Sequence, residues 1–448
     1  MIKVITYGTF DLLHYGHIRI LERAKALGDY LIVGVTSEDY DKKRGKINNH
    51  QSLMERIASI RALGIADEII VEEYEGQKID DIRRYGADIF TVGSDWTGKF
   101  DYLNEYCQVI YLPRTEGVSS SEIRSDRRKI KIGLVGEALI LKKFKCESEH
   151  VNGCEIVAIF SKDKELIKNE FGDVEKVDDY EDLLEKVDAV YIASHPRKHY
   201  TQVKKALQNE KHVLCESPIV MKQDEYQELF DLAKEKNCIL MDAIKTAYST
   251  AYARLLLILK GEKIGKVVSV DATCTSLRSI EKDNEKILSE TWNSICAWGP
   301  TAMLPIFQVL GTEYEQKRIV SAFADEKKEF DIFTQIDFVY KNATASIKVG
   351  KGVKSEGELV ISGTEAYVYV PAPWWKTDYY EVRYENATEN RKFFYQLDGE
   401  GIRYEIVAFI KSIESGHACG YIPNKVSEAI CSVIEKFNDK KNVIEIVI

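Results

Sequence analysis

Short apolar runs separated by stretches of helical period constrain this chain more than any other feature, and the series starts twice. In the first series residues 4–7, 30–35, 68–71, 89–92 and 109–112 read as strands, with helical periodicity over 18–26, 52–63 and 79–85. In the second, strands fall at 130–135, 155–160, 189–193 and 212–215, with helical neighbours at 183–186 and 200–208. Strands fed by helices imply parallel sheets, because a parallel neighbour needs a long crossover. After a helix over 248–260 the pattern changes. Longer Val-, Thr- and Tyr-rich alternations at 267–275, 333–340, 343–348, 358–362 and 367–370 suit a largely antiparallel sheet, and helices over 403–415 and 425–437 follow. The expected class is therefore α/β with three domains: 1–128, 129–247 and an α+β domain over 248–448.

A net charge of −10 gives no overall basic footprint for nucleic acid or an anionic membrane surface. The nine cysteines are odd in number, scattered and without CxxC spacing, a pattern of reduced thiols that offers neither a disulfide framework nor a metal site. No cationic leader with a long apolar segment opens the chain, and no apolar run reaches membrane-spanning length. These features lead us to expect a cytoplasmic protein with no nucleic-acid partner and no membrane insertion.

The first strand runs into GTFDLLHYGH, with His14 and His17 separated by Tyr15 and Gly16 just before a helical pattern. A helix N-terminus favours an anion, and a glycine there lets the backbone approach a phosphate closely. Two imidazoles can donate hydrogen bonds to phosphate oxygens as charge builds during phosphoryl or nucleotidyl transfer. An HxxH pair alone also suits a structural role. Its company is a basic loop, KKRGK over 42–46, then Arg56, VGSDW over 92–96 and RTEGVSSSEIR over 114–124.

Together these stretches, with LERAKALGDYL, GSDWTGKFDYL and VIYLPRTEGVSSSEIR, resemble the cytidylyltransferase family of HIGH-type nucleotidyltransferases, its bacterial glycerol-phosphate members above all, from about residue 2 to residue 124. The resemblance implies a Rossmann-like domain that joins CTP to a polyol phosphate, most readily glycerol 3-phosphate, and releases pyrophosphate with Mg²⁺ offsetting the triphosphate charge. It implies that Thr9, His14 and His17 contact the CTP phosphates, within a turn that includes Phe10, Asp11 and Gly16. Lys46 would neutralise phosphate, Arg56 would serve the nucleotide, and Arg114, Thr115 and Ser119 would close over it. Asp95 and Trp96 would lie near the acceptor or nucleotide end. Taken singly, Asp11 also suits a turn cap, Arg56 a surface helix position and Trp96 a core position. The family often carries a further arginine where ALGIADEI here places Gly64; Arg61, one turn earlier, is the available substitute. The implied product, a CDP-polyol such as CDP-glycerol, would feed a cell-wall polymer of the teichoic acid kind or a capsule. Glycerol 2-phosphate and longer polyol phosphates are alternative acceptors.

KIGLVGEA opens the second series with Gly133 and Gly136, and Ala138 stands where a further glycine is usual; Ser161 ends the next strand, where an acidic residue would hold the ribose of NAD. With YIASHPRKHYTQVKKAL, KHVLCESPIV, ISGTEAYVYV and YEIVAFIKSIESG, the stretch from about residue 129 to 448 resembles the Gfo/Idh/MocA oxidoreductases. That likeness implies a Rossmann domain, an open-sheet domain and an NAD(P) cofactor. The family lysine is replaced by Ser217 in HVLCESP, and its aspartate and histidine by Ala297 and Thr301 in CAWGPTAML, which removes the usual proton donor and acceptor. Lys198 and His199 are the nearby groups able to replace it. The second half is thus expected either to complete a bifunctional enzyme or to serve as a non-catalytic ligand-binding, regulatory or oligomerising module, the whole chain being a homo-oligomer.

Overall fold

The computed structural model describes residues 1–13, 15–37, 40, 51–74, 76–113, 129–277, 291–395, 397–418 and 420–447. The chain divides into two compact units, Met1–Lys129 and Ile130–Ile448.

In the first unit β1 (Lys3–Gly8), α1 (Tyr15–Lys25), β2 (Tyr30–Thr36), α2 (Leu53–Leu63), β3 (Glu68–Glu72), α3 (Gln77–Tyr85), β4 (Ile89–Gly93) and β5 (Gln108–Leu112) follow in order. All strand pairs are parallel, in the order β3-β2-β1-β4-β5. The apolar runs show why: alternate residues of β1 and β2 face opposite sides, and both sides are covered. Val4, Leu31 and Val33 pack with Leu21 and Ala24 of α1 and Ile57 and Ile60 of α2. Ile5, Tyr7 and Ile32 pack on the other face with Ile82 of α3, Phe90 and Leu103. Helix α2 begins with a capping box, Ser52 accepting from the Glu55 amide while the Glu55 side chain accepts from Ser52, and it ends at Gly64 with φ of 65°. The left-handed cap explains a glycine at the place where the family pattern carries arginine, and Arg61 is exposed on the last turn.

The second unit opens with a parallel sheet in the order β11-β10-β9-β6-β7-β8. It is built from β6 (Ile130–Gly136), α4 (Ile140–Ser148), β7 (Cys154–Phe160), α5 (Lys164–Glu170), β8 (Glu175–Val177), α6 (Tyr180–Lys186), β9 (Ala189–Ala193), α7 (Pro196–Gln208), β10 (His212–Glu216), α8 (Gln223–Glu235) and β11 (Leu240–Ala243). Helix α9 (Thr250–Lys260) leads to a mixed sheet of nine strands. These are β12 (Val267–Thr275), β13 (Gln316–Phe323), β14 (Asp331–Val339), β15 (Thr344–Gly350), β16 (Leu359–Gly363), β17 (Ala366–Val370), β18 (Tyr379–Tyr384), β19 (Arg391–Phe394) and β20 (Val443–Glu445). Most pairs are antiparallel; β12 with β15 and β13 with β20 run parallel. Helix α10 (Ser294–Leu310) covers the sheet, and α11 (Ile402–Ser415) and α12 (Asn424–Asn438) return to the parallel-sheet region, α11 against α4 and α12 against α8.

The α/β class with a second Rossmann-like region and a mixed open sheet is as expected. The short edge strands β8, β19 and β20 were not legible, and neither was α10. That helix carries Pro300 and Pro305 inside it and buries Ile295, Gly299, Met303, Leu304 and Ile306, so it has no polar stripe to mark a helical period.

A three-lysine hub ties α11's approach to the parallel-sheet region. Glu400, in the left-handed region at φ of 55°, accepts from Lys143 of α4 at 2.9 Å, Lys245 at 3.2 Å and Lys376 at 2.7 Å. Burial alone would push its carboxyl up, but the three ammonium groups hold it at about 2, below its ordinary 4.5. A depressed carboxylate contributes stability that is complete above about pH 4.5 and is lost as pH falls toward 2. Because Glu400 is a third exposed, solvent screening limits the contribution to about 1–2 kcal/mol. Glu400→Gln is expected to lower the melting temperature at pH 7 and to bring the variant and wild-type curves together near pH 2, as read by thermal melts across that range.

Candidate active site

The end of β1 turns more tightly than most side chains allow. Phe10 and Leu12 have φ of 53° and 49°, and a Cβ on Gly8 would sit 2.8 Å from the Phe10 ring. The ring therefore folds back over the Gly8 backbone, is buried, and meets the His17 imidazole edge-on with centroids 5.6 Å apart. Gly16 and His17 lie in the first turn of α1, which carries no acidic residue and is open to an anion.

What holds so strained a turn is a set of buried polar bonds. Asp11 is 5% exposed, and its Oδ1 accepts from the Gln51 amide at 3.0 Å; Gln51 Oε1 accepts from the Leu12 amide at 2.9 Å. Arg56 is fully buried and donates from Nη1 to the Thr9 carbonyl at 2.8 Å and the Thr36 carbonyl at 2.9 Å, and from Nε to the Gln51 carbonyl at 3.2 Å. The ends of β1 and β2 and the start of α2 thus converge on one guanidinium. Thr36 Oγ1 also donates to Thr9 Oγ1 at 3.3 Å. The reading of Arg56 as a surface helix residue is therefore corrected: the helical period put it on α2, but the β-strand ends close over it.

Asp95 and Trp96 fall in a 3-10 turn, Ser94–Trp96, at the end of β4, the strand beside β1. Asp95 is exposed, while Trp96 packs 5.9 Å from Phe100 with the Lys99 ammonium 5.0 Å from its ring. The structure thus gathers Thr9, Phe10, Asp11, Gly16, His17 and Arg56 at one turn, with Asp95 at the neighbouring strand end. His14, Lys46, Arg114, Thr115 and Ser119 lie outside the described residues.

Sequence reasoning missed Gln51, whose only sign was its place just before the Ser52 cap, and a buried polar cluster on the other sheet face. There Tyr7 donates to Asp81 at 2.9 Å, Gln77 donates to Asp81 at 3.0 Å, and Lys78 pairs with Glu72. Burial and then the Asp81 charge push the Tyr7 phenol far above its usual range.

The second unit has a cleft of its own, a cavity of about 1220 Å³ lined among others by Glu137, Ala138, Lys162, Asp163, Glu216 and Trp298. Gly136 has φ of 129°, and a Cβ there would meet the Ala193 and Ser194 backbone at 2.5 Å, so the turn after β6 requires glycine. Gly133 instead lies inside β6 with Leu183 over it, a packing role. The Ser161 hydroxyl accepts from the Asp163 amide at 3.2 Å. Lys198 lines the cleft and pairs with Glu137 at 3.0 Å, whereas His199 is fully buried with its ring nitrogens 2.8 Å from the Pro218 and Ser194 carbonyls, a structural position. Ser217 is buried, and Ala297 lines the cavity. Among the described residues no group of three or more His, Cys, Asp or Glu is placed to hold a metal ion, and no helix is long and apolar enough to cross a membrane.

Known proteins match the two units separately. A cytidylyltransferase-like family model matches residues 5–126, and one for an oxidoreductase family with an NAD-binding Rossmann fold matches 130–243. Glycerol-3-phosphate cytidylyltransferase from Bacillus spizizenii is 51% identical over 126 residues, 28% of this chain and 97% of that one. The enzyme of the same name from Staphylococcus aureus is 43% identical, over 28% of this chain and 95% of its own. In fold, a 3-ketoreductase from Actinomadura kijaniata, solved with NADP and TDP-benzene, covers 72% of this chain and all of its own at a TM-score of 0.62 and 19% identity.

Arg56→Ala is expected to cost the first unit about 3 kcal/mol or more, since three carbonyls lose a buried charged donor. The readout is denaturant-dependent hydrogen exchange of first-unit peptides in the full chain, and Arg56→Lys should recover only part of the loss because one ammonium cannot span the same three acceptors.

Proposed function

The chain belongs to the cytidylyltransferase-like family, and on that premise we propose that it joins CTP to glycerol 3-phosphate, forming CDP-glycerol and pyrophosphate for a cell-wall or capsular polymer. The observation that carries this reading is the turn over 9–12, braced by Arg56 and Gln51, with Gly16 and His17 on the first turn of α1 behind it. Backbone amides and an imidazole are fixed there before substrate arrives, so little reorganisation opposes charge building on the α-phosphate.

In the proposed step a phosphate oxygen of the acceptor attacks the α-phosphorus in line, the bond to the β-phosphate oxygen breaks, and pyrophosphate leaves. His14 and His17 donate to the phosphate oxygens, and Lys46 and Arg114 neutralise charge. Thr9, Asp11 and Gly16 shape the phosphate-binding turn, Phe10 braces His17, and Arg56 braces Thr9 directly and Asp11 through Gln51. Thr115 and Ser119 cover the nucleotide, and Asp95 stands toward the acceptor or nucleotide end. Mg²⁺ arrives with the triphosphate as part of the substrate. The cysteines described are free thiols, in keeping with a cytoplasmic setting.

A second reading, in which the other unit is an oxidoreductase acting on a precursor of the acceptor, is favoured by its cleft. Gly136 fits the close approach of a dinucleotide pyrophosphate, and Asp163 and Lys162 at the end of β7 fit a ribose and its phosphate. Bound there, NAD(P) supplies or accepts a hydride. Glu137 in the phosphate turn opposes an anion, and its pairing with Lys198 offsets that charge.

The test of the leading reading is a pyrophosphate-release assay of the four nucleoside triphosphates against a panel of polyol phosphates. Release is expected to be fastest with CTP and glycerol 3-phosphate, and His17→Ala should lower kcat/KM by about 10²–10³-fold without lowering the melting temperature of the second unit. Equal release from all four nucleotides, or full activity in the variant, contradicts it.

A further inference from the structure

At the centre of the second unit's cleft the usual proton-handling residue is gone, yet the next residue back is a carboxyl in unusual surroundings. Glu216 ends β10 and lines the cavity. Its Oε1 accepts from the Tyr191 hydroxyl, and Tyr191 is fully buried, stacked on Phe144 of α4 at 3.9 Å. Glu405 of α11, 2% exposed and within electrostatic reach of Glu216, has an Oε1 with no hydrogen-bond partner. Neither the family machinery nor the cytidylyltransferase reading uses this pair.

We propose that Glu216 and Glu405 share one proton at neutral pH, and that Glu216 presents it in the cleft to the carbonyl oxygen of a ketose or ketotriose phosphate, or accepts from the matching hydroxyl. Two buried carboxyls side by side cannot both ionise cheaply, because each loses hydration and each repels the other's charge. Burial raises both groups; the Glu216 charge raises Glu405 further, and Glu216 is brought to about 7. Facing Glu216 are Tyr191 from β9, Lys245 after β11, Asp242 of β11 and Glu405 of α11. Lys245 lowers the pair while Asp242, itself raised to about 6 by burial, adds a third acidic neighbour. The Lys245 ammonium is drawn toward Glu400 at 3.2 Å, so the positive charge is divided and does not discharge the pair.

The cavity wall fits the ligand class. Trp298 lines it and packs 4.9 Å from Trp375, an aromatic face for the C–H side of a sugar or triose, while Lys351 and Arg197 line the same space and suit a phosphate. When the ligand is a ketone, protonated Glu216 donates to its oxygen. When it is the alcohol, ionised Glu216 accepts from its hydroxyl. Binding of the two forms therefore has opposite pH dependence.

The test uses the full chain. Infrared difference spectra between pH 7 and pH 9 should show a protonated carboxyl C=O band in the wild type that is absent in both Glu216→Gln and Glu405→Gln. Calorimetric titration with dihydroxyacetone phosphate over the same range, where its phosphate is already fully ionised, should show affinity falling about tenfold per pH unit above the pair's titration. Glu216→Gln should bind with no such slope, and Glu405→Gln should move its onset to lower pH. Glutamine keeps the shape of each side chain, and unchanged melting curves check that the fold is intact. A C=O band that survives in both variants, a slope unchanged in Glu216→Gln, or no binding of dihydroxyacetone phosphate at millimolar concentration overturns the proposal.

Discussion

Everything at the turn after β1 depends on one buried guanidinium. A charged group at 0% exposure needs partners for its donors, and Arg56 directs Nη1 and Nε at carbonyls from three separate segments, Thr9, Thr36 and Gln51. Two of those segments are strand ends that parallel pairing already brings side by side. The third is the start of α2, whose capping box fixes where Gln51 lies. With this frame in place Phe10 and Leu12 can hold left-handed backbone, and Phe10 can lie against His17. Local strain in the turn is thus offset by bonds made beneath it.

Both units place their candidate sites where strands of a parallel sheet end, and in each a glycine or a tight turn lets backbone come close to what binds there. They differ in what surrounds that point. In the first unit the first turn of α1 is free of acidic residues. In the second, Glu137 sits in the turn after β6 and Glu216 at the end of β10, so its cleft mixes acids with Lys162, Arg197, Lys198 and Lys351. The fold is that of the oxidoreductases it resembles, and in it Ser217 is buried while Ala297 lines the cavity. The carboxyl of Glu216, next to Ser217 and raised by burial, is one way to keep a proton in that cleft near neutral pH.

The parallel sheets were legible because strands buried on both faces read as short continuous apolar runs, and the turn after β1 was legible because glycine, aspartate and histidine rarely gather so densely in sequence. What a one-dimensional reading could not supply was the direction a side chain takes. Arg56 sits at a helical position that suits solvent, and only the convergence of three remote carbonyls buries it. Helix α10 lost its period because most of its residues are buried and two are prolines. Glu216 was overlooked because its neighbours, Tyr191, Lys245 and Glu405, lie far apart in sequence and meet only in the fold.

The central claim is that the first unit transfers a cytidylyl group by attack of an acceptor phosphate on the α-phosphorus of CTP. The most direct measurement supplies CTP and glycerol 3-phosphate labelled with oxygen-18 in its phosphate, and follows both products by phosphorus NMR and mass spectrometry. The account predicts CDP-glycerol that keeps all of the label, one labelled oxygen bridging the two phosphates, and unlabelled pyrophosphate. Label in the released phosphate, or a product lacking the cytidine diphosphate linkage, would contradict it.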